Sequence, residues 1–325
     1  MRNERPMNQD LRLRVMIVVP TFRRVRLLTE LLHALGKQDA VFEPLELRAI
    51  VLDNDPERSA FAVIRDLGPT FPFPLEYENV IQAGLATIRN RALDVARGAC
   101  DVLAMIDDDE CPEPQWLGEL LAVHSRTSAT AVVGPVPSTI PVGAPRWLHD
   151  FRKRELPVFA DGATLSDGWS GNCLLDMKAV TALGVRFDRE FNFAGGEDQL
   201  FFREIVARGG RIAYAARAVA WEDLPAERQS LRFVFKRSFR RGNTLALCDR
   251  RLMGRLLATP TRFLKALVSI ARGAAKIIYS IVRRDASRAI DGACDVVSAC
   301  GMISGVAGLT YQAYRRPVEI AATAC

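Results

Sequence analysis

The sequence predicts an α/β protein: a doubly wound, mostly parallel sheet with flanking helices, followed by a C-terminal helical extension. Three observations carry that prediction. Short apolar runs alternate with amphipathic stretches through the first half, the strand, helix, strand order that builds parallel sheets with right-handed crossovers. Two of those runs end in carboxylates, at Asp53 and at Asp107-Asp108-Asp109-Glu110, and open α/β sheets bind ligands at the carboxyl ends of their strands. From Arg228 to Arg288 sixteen Lys or Arg face two acids, Asp249 and Asp285, so this segment carries +14 of a chain whose net charge is +6. Such asymmetry directs the later part of the chain toward something anionic.

At 325 residues and 49% hydrophobic content, the chain can bury one large core and still carry an appendage. Seven cysteines without a Cys-x-x-Cys pair argue against a disulfide framework or a zinc site, and so for the reducing cytosol. Residues 1–12 are polar, read as a flexible N-terminus without a secretory signal. Three histidines leave little material for histidine metal chemistry.

Each element follows from its pattern. Residues 13–19 are apolar and β-branched, and Pro20-Thr21 stops them, which makes a buried strand and its turn. Leu27, Leu28, Leu31, Leu32 and Leu35 line one face of the helix that follows, ended by Gly36. A second strand spans 47–52, a short helix 59–67, a short strand 74–77, and a helix 83–96 closed by Gly98. The strand 102–106 then runs into the four acids. A helix to about Arg126 turns Trp116, Leu117, Leu120, Leu121 and Val123 inward, and 129–136 is another strand. Between Pro137 and Ala163 no period survives among prolines at 137, 141, 145 and 157; loops of that length are commonly functional, and this one is assigned to the acceptor side. Glycines around Trp169 let backbone approach a ligand, as an ordinary bulge also would. A helix opens at Gly196-Glu197-Asp198, two short strands lie within 211–221, and a basic helix carries Arg237, Arg240 and Arg241.

Carboxylates gathered on one sheet edge repel one another unless a divalent cation or a basic ligand offsets them, and oxygen-only donors suit Mg²⁺ or Mn²⁺. Each cluster alone reads equally as a solvated turn; together they point to a nucleotide and metal crevice. Asp198 shares a helix face with Phe202 and Ile205, turned toward the core, which makes it a candidate general base. The arginines at 237, 240 and 241 either steady a departing diphosphate or form a solvated face.

Several motifs in fixed order then carry a resemblance: Val19-Pro20-Thr21-Phe22-x-Arg24, Leu52-Asp53-Asn54, Ile88-Arg89-Asn90, Asp107-Asp108-Asp109, Gly196-Glu197-Asp198 and Arg237-x-x-Arg240-Arg241-Gly242. Over Val15 to about Gly242 the chain resembles family 2 glycosyltransferases of GT-A fold, most of all the bacterial enzymes that build exopolysaccharide repeat units. That resemblance implies that Pro20, Thr21, Arg24, Asp53, Arg89 and Asp107 hold a nucleotide-sugar donor. Within that set Asp53 would accept from the base, and Asp107 would lie near the ribose. It implies that Asp109 coordinates Mn²⁺ or Mg²⁺ and that Asp198 is the base of an inverting displacement, with Glu197 the less favoured candidate. Glu222 stands where many relatives carry a metal-binding histidine, while Gly171, Arg237, Arg240 and Arg241 fall on the diphosphate or acceptor side. Asp108 and Glu110 read as neighbours that tune the field. The implied reaction moves a hexose, glucose favoured, from a UDP-sugar to a saccharide acceptor carried on a lipid. Without a Gln-x-x-Arg-Trp motif the chain is not expected to be a processive synthase.

A nucleotidyltransferase of related architecture would want a glycine-rich signature with Lys and Arg after the first strand, which Pro20-Thr21-Phe22 is not. A nucleic-acid-binding protein would explain the +14 segment but not the acids at the strand ends, so no nucleic acid partner is expected. In the C-terminal quarter, 256–282 mixes apolar residues with Arg262, Lys265, Arg272 and Lys276 and offers no window of 18 uncharged apolar residues. It reads as a basic amphipathic helix on an anionic leaflet, or as a surface for packing or oligomerisation. The uncharged stretch 296–311 is a re-entrant or interfacial segment, or a hairpin helix covering the first. The expected organisation is therefore a flexible 1–12, a transferase domain over 13–245 and a basic extension over 246–325, in a cytoplasmic protein held peripherally at the inner membrane.

Overall fold

The computed structural model describes residues 12–39, 45–155 and 158–312. Nearly all of the expected N-terminal stretch, and the end of the extension, lie outside the described residues. The first half alternates as predicted: β1 (Leu13–Thr21), α1 (Val25–Leu35), β2 (Leu45–Asp53), α2 (Phe61–Leu67), β3 (Leu75–Asn79), α3 (Leu85–Ala96) and β4 (Val102–Ile106). β1 pairs in parallel with both β2 and β4, and β2 with β3. Thr21 lies opposite Asp53 in that register, so the turn after β1 and the acids after β2 and β4 reach the same sheet edge.

The core follows from the two-residue period of the strands. Val15, Ile17 and Val19 pack with Leu28, Leu32 and Val51 on one face, while Met16 and Val18 pack with Leu52, Leu93, Phe201 and Phe202 on the other. Both layers are buried, as a doubly wound sheet requires.

The second half is β5 (Glu110–Pro112), α4 (Trp116–Thr127), β6 (Ala131–Val133), β7 (Ser138–Thr139), α5 (Arg146–Glu155), β8 (Thr164–Leu165), β9 (Asn172–Asp176), α6 (Met177–Leu183), α7 (Glu197–Ala207), β10 (Ile212–Tyr214), β11 (Ala220–Asp223), α8 (Leu231–Arg283) and α9 (Ala286–Val306). The main sheet has the order β3-β2-β1-β4-β9-β6-β10-β8, with β9 antiparallel to β4 and β6, and β8 antiparallel to β10. A small second sheet, β5-β11-β7, stands beside the acid run. This mixed sheet with flanking helices matches the expected architecture, and a C-terminal helical hairpin follows it.

One expectation is corrected here. The stretch 137–163 is not patternless: it holds β7 and α5, and Phe151 of α5 packs with Val234 and Cys294. The period was hidden because α5 is mostly charged and its few apolar residues meet helices over eighty residues away in sequence. The basic extension was expected to begin at 246, just after position 245. That position lies inside α8, whose only non-helical residue is Gly254, at φ 76° and ψ 161°, and it is there that the helix changes direction. Of the stretch 296–311, residues 296–306 belong to α9, which starts ten residues earlier and lies along α8 as the second arm of a hairpin. The six cysteines within the described residues are free thiols.

Candidate active site

The ends of β1 and β4 are joined through Asp108. Thr21 Oγ1 donates to Asp108 Oδ2 at 2.7 Å and Arg24 Nη1 to Asp108 Oδ1 at 2.8 Å. Arg24 also pairs with Asp109 Oδ2 at 2.9 Å. Burial pushes the Asp108 carboxyl up to about 6, against the pull of Arg24 and the Thr21 hydroxyl. Asp108 is therefore more than a neighbour of the motif: it fixes the turn bearing Arg24 against the strand that delivers Asp107 and Asp109. Pro20, one residue earlier, lies opposite Leu52 in the sheet register.

Asp53 is fully buried, and its carboxylate already accepts three hydrogen bonds, from the Asp55 and Ala60 amides at 2.9 Å and from the Tyr77 hydroxyl at 3.1 Å. A carboxylate offers about four lone-pair directions, so a base would meet only what this internal network leaves over. In this structure Asp53 closes the loop after β2. Asn54 continues the tie, donating to the Val80 and Gln82 carbonyls at 2.6 and 2.9 Å.

Beyond Ile106 the chain turns and enters β5, where Glu110 lies opposite Glu222 of β11. Asp107, Asp109, Glu110 and Glu222 thus converge, and the Glu110 carboxyl is raised well above its usual range, first by burial and then by those three acids. Glu110 Oε2 is buried with no hydrogen-bond partner among the described residues. Gly171 makes the room. A Cβ there would come within 2.4 Å of Glu110 Oε1 and 3.1 Å of Asp107 Oδ2. The Gly171 carbonyl also accepts from the Asp107 amide at 3.1 Å. Glu222 accepts from the Ser138 hydroxyl at 2.7 Å, and Arg228 bridges it to Asp109, at 3.3 and 3.7 Å. Sequence reading counted Arg228 only within the basic segment. Its one signal was its place six residues beyond Glu222.

The donors here are carboxylate oxygens only, the set that Mg²⁺ and Mn²⁺ take, and an orphaned buried oxygen is what such an ion would satisfy. The residues fit a divalent cation by chemistry. Among the described residues no three such side chains already close round one point, because Arg24 and Arg228 hold Asp109 and Glu222.

On the other wall stands α7. Gly196, at φ 93°, caps its start, and a Cβ there would run into Thr244 of α8, so the helix carrying Glu197 and Asp198 is seated on the first arm of α8. Glu197 is 2% exposed and ion-paired with Arg89, which also reaches Asp107 at 3.5 Å. Arg89, expected to hold the nucleoside, is a buried guanidinium that must be paired, and here it spans two site acids. Asp198 is half-buried, and its charge acts on Asp107. Burial raises Asp107, with Asp109 and Asp198 adding to the rise and Arg89 opposing it. Arg237 and Arg241 are exposed and Arg240 is half-buried; Arg240 and Arg241 lie one turn ahead of Thr244, on the arm that supports α7.

Burial, with Asp198 and Asp107 adding, pushes Glu197 up to about 7, Arg89 opposing. A carboxyl raised on folding contributes stability that is complete below its unfolded pKa and is lost as pH rises through its folded one. Asp108 and Glu197 therefore predict that, without divalent ions, the melting temperature falls from about pH 5 to about pH 8, and that Glu197→Gln flattens part of that fall. Carboxylates held low by partners, such as Asp101 beside Arg14, lose their contribution only in stronger acid. A thermal scan in chelator across this window checks it; a flat or rising profile would contradict the burial of these acids.

Comparison with known proteins bears on family and fold. The family model described as glycosyl transferase family 2 matches residues 16–184. The chain is 37% identical over 304 residues to the succinoglycan biosynthesis protein ExoM of Rhizobium meliloti (strain 1021), covering 91% of this chain and 94% of that protein. Among solved structures it is similar to a mannosyltransferase from Pyrobaculum calidifontis in complex with GDP-Man and Mn²⁺, with TM-score 0.57, 17% identity, and 90% of this chain and 88% of that one covered. It is also similar to S. aureus TarS 1-349, with TM-score 0.55, 15% identity, and 92% and 93% covered. At these identities the solved structures establish the fold alone.

Proposed function

The chain belongs to glycosyl transferase family 2, and from that premise we propose that it is a metal-dependent inverting hexosyltransferase of exopolysaccharide synthesis. It takes a nucleotide-diphosphate sugar, UDP-glucose favoured, and delivers the sugar to a saccharide on a lipid carrier at the cytoplasmic face of the inner membrane. One observation supports this reading most: Asp107, Asp109, Glu110 and Glu222 converge on one sheet edge, with Asp198 at the head of a helix across from them. The ExoM likeness supports the pathway, and a TarS structure in complex with UDP-GlcNAc, at TM-score 0.51, supports the donor class.

Asp109 with Glu222 and Glu110 would hold the divalent ion, and Asp107 would face the ribose. When bound, the ion neutralises charge that develops on the departing diphosphate. The chain's own residues do the rest. Asp198 takes the proton of the acceptor hydroxyl as its oxygen attacks the anomeric carbon and the bond to diphosphate breaks, so an α-linked donor gives a β-linked product. With Asp109 given over to such an ion, Arg24 and Arg228 would be left free of it, and either guanidinium could meet phosphate oxygens bidentately. Thr21 and Asp108 hold the turn that carries Arg24, and Gly171 keeps the floor open beneath the anomeric carbon. Arg240 and Arg241 extend the basic side toward the acceptor.

The test is a screen of nucleotide sugars with Mn²⁺, scored by protection against heat. Ligand at a hundred times its Kd stabilises by about 2.7 kcal/mol. UDP-glucose with Mn²⁺ is expected to protect, chelator to remove the effect, and Asp109→Asn to weaken it by at least about tenfold in Mn²⁺ affinity. If no nucleotide sugar protects or is hydrolysed, the transferase reading of this site is wrong.

A further inference from the structure

The hairpin beyond Gly254 is packed inside out. Where α8 faces α9 it presents small side chains, Ala266, Ser269, Gly273 and Ser280, and α9 answers with Gly292 and Ala299. The backbones come so close that a Cβ on Gly273 would lie 2.5 Å from the Gly292 carbonyl oxygen. The large apolar residues point the other way: Leu257, Leu264, Ile278 and Ile281 are 63 to 72% exposed, and Leu267 and Val268 lie among them. A hairpin stabilised by water would bury the leucines and expose the small residues. Small residues inside and large ones outside is how helices pack when the surroundings are lipid.

Spacing makes this a single surface. Leu257, Leu264, Ala271 and Ile278 recur every seven residues, with Leu267, Ala274 and Ile281 between them, a stripe about 35–40 Å long at 1.5 Å per residue. Its border is basic. Arg255, Lys265, Arg283 and Arg284 are exposed along it, and 250–284 contains no acid. A second copy of this chain would lay like charges against like, whereas an anionic bilayer matches both apolar stripe and basic border.

The stripe's orientation is fixed to the catalytic domain. Asp249, before the Gly254 bend, accepts from Arg262 Nε beyond it at 2.5 Å and from Arg203 of α7 at 2.9 Å, and both Asp249 and Arg262 are buried. The helix that carries Asp198 is thus tied to the arm that carries the stripe.

We propose that this face of α8, from Leu256 to Val282, is a docking surface for an anionic phospholipid bilayer and lies in the headgroup and acyl boundary. Although α9 has the length and composition to cross a membrane, with 28% of its most apolar window buried, the large exposed face belongs to α8. The inference deepens the reading of a lipid-carried acceptor: the face that binds membrane holds the transferase at a set angle to it.

The experiment is flotation of the full chain with vesicles of phosphatidylcholine containing about 30% phosphatidylglycerol, and with phosphatidylcholine alone. The wild-type chain is expected to float with the anionic vesicles. Leu264→Glu/Ile278→Glu should cut that partition by at least about tenfold. Both substitutions are solvent-exposed, so the melting temperature and heat protection by UDP-glucose with Mn²⁺ should not change. Arg255→Glu/Lys265→Glu should weaken flotation in proportion to the anionic lipid content. Wild-type chain left at the bottom of the gradient overturns the proposal, as does unchanged flotation of the leucine and isoleucine variant. So does a concentration-dependent dimer, seen by light scattering, that the same variant disperses without vesicle binding. Donor protection is read separately, so loss of the transferase reading and loss of the docking face are different results.

Discussion

Asp198→Asn is expected to abolish sugar transfer while leaving donor affinity nearly intact. A positioned base contributes about 10²–10⁴-fold to rate, so turnover should fall by at least that factor. The substitution keeps the shape and the hydrogen bond from the Gln199 amide, seen at 2.7 Å, so α7 should still form. Steady-state transfer with a saccharide acceptor and direct titration of UDP with Mn²⁺ give the two readouts. If both collapse, Asp198 belongs to the donor or metal site; if neither moves, the base is elsewhere. Glu197→Gln separates the two acids of the pair. It is a positioning change behind the site, expected to alter the pH profile more than the rate at its optimum.

The largest loss of stability is expected from Arg89→Met. Arg89 is buried between Glu197 and Asp107, and removing one partner of a buried ion pair costs about 3–5 kcal/mol because the other charge stays without compensation. Unfolding by denaturant should show it. In a second variant, Arg89→Met/Glu197→Gln, the uncompensated acid is gone, and part of the loss should return. A single variant as stable as wild type would mean that Glu197 is already neutral and the pair carries no net charge interaction. That outcome would also raise the pH at which Glu197 ionises.

The basic segment shows how charge counts mislead when read one-dimensionally. The +14 between 228 and 288 was expected to meet an anionic partner. Part of it is spent inside the molecule, as Arg228 on Asp109 and Glu222, Arg251 on Asp188, Arg262 on Asp249, and Arg272 and Lys276 on Asp295. What remains exposed lines the distal arm of α8. The two fates differ because the 227 residues before the basic segment carry −7, and the helix must dock against them.

By itself the sequence determined the layered α/β order, because burial on both faces of a parallel sheet demands the apolar runs that are visible in β1, β2 and β4. It also determined that the carboxylates of β2 and β4 share an edge, since parallel strands joined by helices must all end on the same side. The order of the motifs placed Asp109 and Asp198 in one crevice. Only the tertiary structure decided which acid does what around them. Asp108 became a strut, Glu110 an unpartnered buried acid and Arg89 a clamp, since each outcome depends on burial and on partners twenty to over a hundred residues away. The inside-out hairpin was likewise invisible in the sequence. Its amphipathic period shows that one face differs from the other, but which face meets α9 is set by how closely Gly273 and Gly292 let two backbones approach.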